Sequence, residues 1–420
     1  MNLFYQSSSN SQAVRVPKLR FPEFEGEWKK RQFAEFTWAS GKRNKENLDL
    51  EPYAITNESG FIPQNEAHND FGYMKNTDRK AYNIVTPNSF AYNPARINIG
   101  SIGYYEGAEN VIVSSLYEVF QTTDYIDDRF LWYWFKSGEF LKWIERLQEG
   151  SVRLYFYYDK LCECQMFTPS VAEQKKIAEF LEIIDKRIEK QRQLVELLKS
   201  YKRGLSEAIF SRKLNLTLNL TCDTNIQWER HKLGTLGYFY NGLSGKTKDD
   251  FSCGNSEFIT YMNVYKNTIA DEQVLEYVNV SLGEKQNAVH CGDILFTQSS
   301  ETLEEVGYSS VWLSAKVPYL NSFCFGFRFN TSSMIDPYFI AHYFRSSAIR
   351  SAIMREGQGA TRVNLSSERL KDIVVSLPPL SMQKKIGTIL NNIQMQINRN
   401  SDIIERLCAY KDGLLQSLFI

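Results

Sequence analysis

At 420 residues, 43% hydrophobic and 14% aromatic, the chain is long enough for roughly two to three domains with real cores, and disorder of the whole chain is excluded. Forty-nine basic and 49 acidic side chains leave a formal net charge of zero, which excludes bulk electrostatics as the basis of any nucleic-acid binding. The opening MNLFYQSSSN has no basic stretch leading into an apolar run, and no window of about eighteen apolar residues occurs, so the chain reads as cytosolic and soluble.

Taken in chain order, residues 1–165 form a first variable unit. Ile97-Asn98-Ile99 and Val111-Ile112-Val113, set between turn residues, read as short strands. Ile126-Asp127-Asp128-Arg129-Phe130-Leu131 reads as an Asp-capped helix. The polar loops are Ser40-Gly41-Lys42-Arg43-Asn44-Lys45, Tyr92-Asn93-Pro94-Ala95-Arg96 and Ser151-Val152-Arg153.

Residues 166–213 predict one long helix, approached through Pro169. Ile177, Leu181, Ile184, Ile188, Val195, Leu198, Leu205 and Ile209 fall on an alternating four-three spacing, interrupted by Gln191 and Lys202; that is a coiled-coil seam. At about 1.5 Å per residue, forty residues span roughly 60 Å. LNLTLNLT at 214–221 reads as a linker or an edge strand.

Residues 214–374 form a second variable unit. Phe258-Ile259-Thr260-Tyr261, Asp293-Ile294-Leu295-Phe296 and Phe323-Cys324-Phe325-Gly326-Phe327 read as strands, and Asp336 opens a capped helix matching that at Asp127. Its polar loops are Ser244-Gly245-Lys246-Thr247-Lys248, Thr297-Gln298-Ser299-Ser300 and Gln358-Gly359-Ala360-Thr361-Arg362-Val363-Asn364.

Residues 375–420 repeat the helix. Aligned at a constant offset of 209, residues 166–210 and 375–419 share fifteen of 45 positions without a gap. The seam recurs at Ile386, Leu390, Ile393, Ile397, Ile404, Leu407, Leu414 and Leu418, with Asn400 and Lys411 at the two polar interruptions; matched polar positions fix register. Gly204 and Gly413 also match, each disfavoured in a helix by about 1 kcal/mol against Ala. Upstream, Trp28 pairs with Trp228 at offset 200 and Tyr92 with Phe296 at offset 204, so the variable units repeat too, with altered loop lengths. Each is a mixed α and β unit, and the fold class is α+β.

No catalytic constellation emerges. Tyr92-Asn93-Pro94-Ala95-Arg96 lacks the second proline and aromatic of an amino-methyltransferase loop, and Glu27-Trp28-Lys29 and Gly283-Glu284-Lys285 are isolated matches to a degenerate nuclease pattern. His68, His231, His290 and His342 are scattered, and neither a P-loop nor a GxSxG elbow occurs. The seven cysteines, Cys162, Cys164, Cys222, Cys253, Cys291, Cys324 and Cys408, are odd in number and form no CxxC pair; they read as reduced structural thiols.

What the loops do carry is Arg, Lys, Asn, Gln, Ser and Thr, which donate to phosphates and read base edges. The candidate DNA-contacting residues are Lys42, Arg43, Asn44, Lys45, Asn93, Arg96 and Arg153 in the first unit, and Lys246, Thr247, Lys248, Gln298, Ser299, Gln358, Thr361, Arg362 and Asn364 in the second. Residues 1–165 hold 19 basic and 22 acidic side chains, and 214–374 hold 14 and 17. That acidity argues against a non-specific polyelectrolyte binder.

The chain resembles the specificity subunits of type I restriction-modification enzymes over essentially its whole length. The resemblance rests on Val16-Pro17-Lys18-Leu19-Arg20-Phe21-Pro22-Glu23-Phe24, on the Trp at the head of each unit, on Pro-x-x-x-x-Gln-Lys-Lys-Ile opening each helix, on Arg153 and Arg362 in the preceding loops, and on Leu377-Pro378-Pro379-Leu380. It implies two target-recognition domains and an antiparallel coiled coil, which together make a pseudo-two-fold repeat reading a bipartite, asymmetric site in double-stranded DNA. It also implies two modification (methyltransferase) subunits using S-adenosylmethionine, and restriction (motor-nuclease) subunits using ATP and magnesium, with no cofactor held by this chain. The first unit departs from the second in having Leu154-Tyr155-Phe156 where the second has Val363-Asn364-Leu365, which puts Tyr155 in doubt as a base reader. Two alternatives stay open: a coiled-coil interaction scaffold without a DNA role, and the recognition part of a single-chain methyltransferase-nuclease.

Overall fold

The computed structural model describes residues 5–6, 16–57, 60–67, 79–147, 155–211, 227–359 and 361–420. Two units divide it: Met1–Arg192 with Asp402–Ile420, and Gln193–Ser401. Each long helix therefore contributes one half to each unit.

In the first unit, strands β1 (Lys29–Gln32), β2 (Thr37–Ala39), β3 (Ser89–Tyr92), β4 (Ile102–Tyr105) and β5 (Glu118–Thr122) precede helix α1 (Asp128–Lys136), strand β6 (Gln165–Thr168) and the first long helix, α2 (Val171–Phe210). Four strands form an antiparallel sheet in the order β4–β3–β5–β2. Strands β1 and β6 pair outside it, Met166 opposite Arg31, so the two ends of the globular part close on each other.

The second unit repeats this plan with β7 (Glu229–Lys232), β8 (Gly237–Asn241), β9 (Ile294–Thr297), β10 (Ser309–Val311), β11 (Cys324–Phe329), helix α3 (Pro337–Tyr343), β12 (Val374–Leu377) and the second long helix, α4 (Leu380–Leu418). Its sheet order, β10–β9–β11–β8, is the counterpart of the first, and β7 pairs with β12 as β1 does with β6.

The sheets read as apolar runs because both faces are covered. Phe90, Tyr92 and Phe120 join one cluster while the alternate residues Ala91 and Val119 join another. In the second unit Ile294, Phe296, Phe325 and Phe327 face one cluster, and Leu295 and Cys324 the other. Residue alternation along a strand is what lets one segment serve two cores.

Two sequence expectations are corrected. Ile97–Ile99 is a short 3-10 turn, not a strand: the Arg96 carbonyl accepts from the amides of both Ile99 and Ser101, and Gly100 at φ +88° ends the turn. The strand expected over Phe258–Tyr261 stops at Ile259, because the Thr260 side chain accepts from Asn263 N at 3.2 Å and caps the helix Tyr261–Lys266. The run at 214–221 lies outside the described residues.

The helix caps at Asp127 and Asp336 are as expected: Phe130 N donates to Asp127 Oδ1 at 3.0 Å and Phe339 N to Asp336 Oδ1 at 2.8 Å. Each cap is also tied to the long helix. Gln174 Oε1 accepts from Asp127 N at 2.8 Å while its amide donates to the Tyr125 and Pro169 carbonyls. At offset 209, Gln383 Oε1 accepts from Asp336 N at 3.0 Å and its amide donates to Met334 and Pro378. This explains the glutamine of the Pro-x-x-x-x-Gln-Lys-Lys-Ile motif. Gln383→Ala strands buried backbone groups and is expected to destabilise the protein by about 1–3 kcal/mol, read by urea unfolding. A shift below about 0.5 kcal/mol would contradict that reading.

Within the first unit, Ile177, Leu181, Ile184 and Ile188 of α2 share a buried cluster with Leu414 and Leu418 of α4, against which Ile404 and Leu407 pack. Within the second, Ile209 joins Ile386 and Leu390, with Leu205 alongside. In each unit the N-terminal half of one long helix thus meets the C-terminal half of the other, which is antiparallel packing. Val195, Ile393 and Ile397 are buried outside the globular clusters, and Leu198 is half-buried. The first turns of each helix do more than form a seam, since Ile177 and Leu181 also share their cluster with Trp28 and Phe130. The polar interruptions Lys411 and Lys202 are used alike, donating to Asp185 Oδ1 and Gln394 Oε1, each at 2.5 Å. Gly387 is required where α4 crosses the α3 cap: a Cβ there would strike Asp336 Oδ1 and the Phe339 amide. Among the described residues, no helix is long and apolar enough to cross a membrane, and no group of three metal-ligating side chains assembles.

Candidate nucleic-acid interface

In the first unit a cleft of about 940 Å³ opens at the sheet end and brings Arg43 together with Asn93 and Arg96 of a separate loop. Arg43 lies on a two-residue strand opposite Asn83 and is exposed, with Nη1 donating to the Ala81 carbonyl at 2.6 Å and the Ser115 carbonyl at 3.1 Å. Asn93 Oδ1 accepts from Ala95 N at 3.0 Å, an Asx turn that shapes the loop carrying Arg96. Arg96 is exposed.

Not every candidate is free to read a ligand. Asn44 is 1% exposed, and its amide closes its own loop by donating to the Leu48 carbonyl and accepting from Leu48 N. Lys42 and Lys45 are exposed but do not line the cleft. Arg153 lies outside the described residues.

In the second unit, Gln298, Gln358 and Asn364 come together in a cleft of about 350 Å³. Ser299 and Arg362 line a neighbouring hollow with Tyr261, Tyr265 and Phe323. Thr361 is exposed and lines neither. The Lys246 loop stands apart from both hollows. Its ammonium, with a side chain 6% exposed, pairs with Glu284 at 2.6 Å, and that pairing holds the Glu284 carboxyl well below the usual carboxylate range. Thr247 donates through N and Oγ1 to Asp250 Oδ2 at 2.8 and 3.0 Å, which leaves Lys248 exposed on a braced turn.

The two principal clefts occupy the same place in the repeat. Phe156 N donates to the Pro94 carbonyl at 3.1 Å in the first unit, and Leu365 N to the Gln298 carbonyl at 2.8 Å in the second. Those bonds align Pro94 with Gln298 and Tyr155 with Asn364, at the offsets 204 and 209 already present in the sequence. On the sheet, Glu118 stands opposite Tyr92 as Phe325 stands opposite Phe296. One shared scaffold therefore presents Pro94, Glu118 and Tyr155 in one cleft and Gln298, Phe325 and Asn364 in the other.

Sequence reasoning missed Glu118, Tyr157, Asn241 and Arg369 and doubted Tyr155, which lines the cleft and stacks on Tyr157 at 5.5 Å and 4°. Tracking the repeat offsets through the loops points to Tyr155, because it occupies the register of Asn364. Glu118 carries no such signal. Burial pushes its carboxyl up, Asp159 adds to that, and Arg43 opposes it.

A chain built of two copies of one sheet-and-capped-helix unit, each with a polar cleft of differing lining, belongs to the class of proteins that carry paired recognition modules. It matches the type I restriction modification DNA specificity domain over residues 26–199 and again over 225–408. The chain belongs to that family, the specificity subunits of type I restriction-modification systems. It is similar to the solved S subunit of the type I restriction-modification system from M. genitalium, at 18% identity and TM-score 0.57 over 96% of this chain and 99% of that one. A structure solved to explain complex assembly and conformational transition of the type I R-M system matches with 12% identity and TM-score 0.53, over 93% of this chain and 97% of the other. At these identities the likeness shows the fold.

Proposed function

We propose that this chain reads a bipartite, asymmetric site in duplex DNA, one half through the cleft of each unit, on behalf of two modification subunits that it holds. The observation carrying this is the paired cleft: the repeat keeps sheet order, helix caps and helix staples but changes what lines the opening. A scaffold whose two modules bound the same thing would have no reason to change the lining of a cleft that the fold keeps in place. The exposed lysines Lys42, Lys45 and Lys248 suit phosphate contacts, which position a duplex without reading it.

The long helices set the gap between the half-sites and dock the modification subunits. Tyr201 and Tyr410 are exposed at matched positions, and a Cβ at Gly204 or Gly413, one turn on, would meet nothing within 4 Å. Two open positions matched in the repeat suit two copies of one partner. S-adenosylmethionine then belongs to the modification subunits, and ATP and magnesium to restriction subunits joining the full complex.

The test is co-expression with the modification subunit of the same system, followed by mapping of methylated adenines in host DNA. A bipartite motif with a fixed gap is expected, and exchanging 214–374 for the same region of a relative should change one half only. A well-formed complex that methylates nothing would overturn the reading in favour of an interaction scaffold.

A further inference from the structure

We propose that the two clefts read different base pairs: the first selects guanine through Arg96, and the second selects adenine through Gln298 and Asn364. The inference rests on the bipartite reading above and assigns residues within it.

Each of these residues combines a pinned backbone with a side chain that makes no hydrogen bond to a described residue. Arg96 N donates to the Asn93 carbonyl at 3.0 Å and its own carbonyl accepts from Ile99 and Ser101, so the main chain is fixed on both sides. Its guanidinium is exposed and makes no hydrogen bond to a described residue. Arg43, the other guanidinium among the described residues lining the cleft, is instead tethered by two carbonyls. A guanidinium fork offers two parallel donors, which match the N7 and O6 acceptors of guanine in the major groove, whereas adenine sets a donor, its N6 amine, beside its single N7 acceptor.

In the second cleft, Gln298 N donates to the Phe323 carbonyl at 2.8 Å and its carbonyl accepts from Leu365 N, while Asn364 exchanges backbone bonds with Gln358 at 2.7 and 2.9 Å. Ser299 stands opposite Asn364 across a two-residue strand pair, which sets the Gln298 and Asn364 positions close together. Both carboxamides are exposed and have no hydrogen-bond partner among the described residues. Their neighbours are engaged: with the Gln358 amide oriented so that its oxygen faces Arg369, it accepts from both terminal guanidinium nitrogens, and Arg369 also faces Glu356 at 3.6 Å. That engages Arg369, the guanidinium among the described residues lining this cleft. A carboxamide carries one donor and one acceptor side by side, the complement of adenine N7 and N6. Fixing the backbone in advance reduces the entropy lost when these side chains engage.

The experiment uses the complex co-expressed with its modification subunit and maps the methylated motif in host DNA for wild type, Arg96→Ala, Gln298→Ala, Asn364→Ala and the Gln298→Ala/Asn364→Ala pair. Arg96→Ala is expected to lose preference, by roughly tenfold or more, at one G·C pair of one half-site. The carboxamide pair variant should relax an A·T pair, other than the methylated one, in the opposite half-site. The gap and the untouched half stay as they are, and unfolding curves stay unchanged because all three side chains are exposed. Uniform weakening at every site with a shallower salt dependence would mark a phosphate contact and overturn the assignment. So would relaxation at a pair of the other type, or no change. A wild-type complex with no bipartite motif overturns the proposed function itself, whereas a bipartite motif left intact by these variants overturns only the residue assignment.

Discussion

Glu173→Ala is expected to lower stability by about 3–5 kcal/mol. Glu173 and Arg20 are buried, with side-chain exposures of 2% and 9%. The guanidinium meets the carboxylate through two bonds, Nε to Oε1 at 2.8 Å and Nη2 to Oε2 at 2.7 Å, and Trp28 Nε1 adds a third at 3.3 Å. The Gly26 and Glu25 carbonyls accept two more bonds from Arg20. Deleting the carboxylate leaves a buried cation with no counter-charge, and desolvation then dominates. Replacing both partners, as in Arg20→Met/Glu173→Met, should restore most of the loss, since an apolar pair of similar volume carries no desolvation penalty. Urea unfolding of the two singles and the double decides this; singles within about 1 kcal/mol of wild type would mean the pair is solvated. The contact also explains why the opening Val16–Phe24 carries family resemblance: it lays Arg20 against the start of the first long helix.

The second large effect is an acid sensitivity set by His342. The ring is 3% exposed, and Nε2 finds no hydrogen-bond partner among the described residues. Burial, followed by the nearby Lys202 and Arg345 charges, pushes its pKa down from 6.5 to about 3. Below pH 6.5 the unfolded chain takes a proton that the folded chain refuses. Stability from this residue is therefore full above that pH and falls as the pH drops toward 3, by about 1.4 kcal/mol per unit. At pH 5 the loss amounts to about 2 kcal/mol. At offset 209 the first unit has Tyr133, whose hydroxyl donates to Asp185 at 2.9 Å, and Asp185 is in turn the counterpart of Gln394. His342→Tyr installs a group that stays neutral over this range. Denaturant unfolding at pH 7 and pH 5 should show the variant losing about 2 kcal/mol less than wild type. Equal losses in both would show that the imidazole is protonated in place.

Much of this architecture was legible in the sequence because repetition is a pattern in one dimension. The 209 offset identified the paired helices, and the Asp127 and Asp336 caps followed from a residue type whose side chain satisfies an orphan amide. The strands at Val111, Ile294 and Cys324 were legible from β-branched and aromatic runs, whereas Ile97–Ile99 was not, because two isoleucines either side of Asn98 do not encode whether a partner strand lies beside them. The candidate contact residues were legible only as composition. Asn44 and Lys246 have the right chemistry for reading DNA, but the fold commits one to its own loop and the other to Glu284.

By itself, then, the sequence determined that the chain is a duplicated unit, where its long helices lie and which of their positions form the seam, because heptad spacing and self-similarity are local or periodic properties. Only the tertiary structure decided which loops meet. It aligned the Pro94 and Gln298 loops through a single backbone bond in each unit, put Tyr155 in the register of Asn364, and separated engaged side chains from free ones. A side chain becomes a reader through the neighbours it lacks as much as through its own groups, and those neighbours are fixed by long-range packing that no local pattern records.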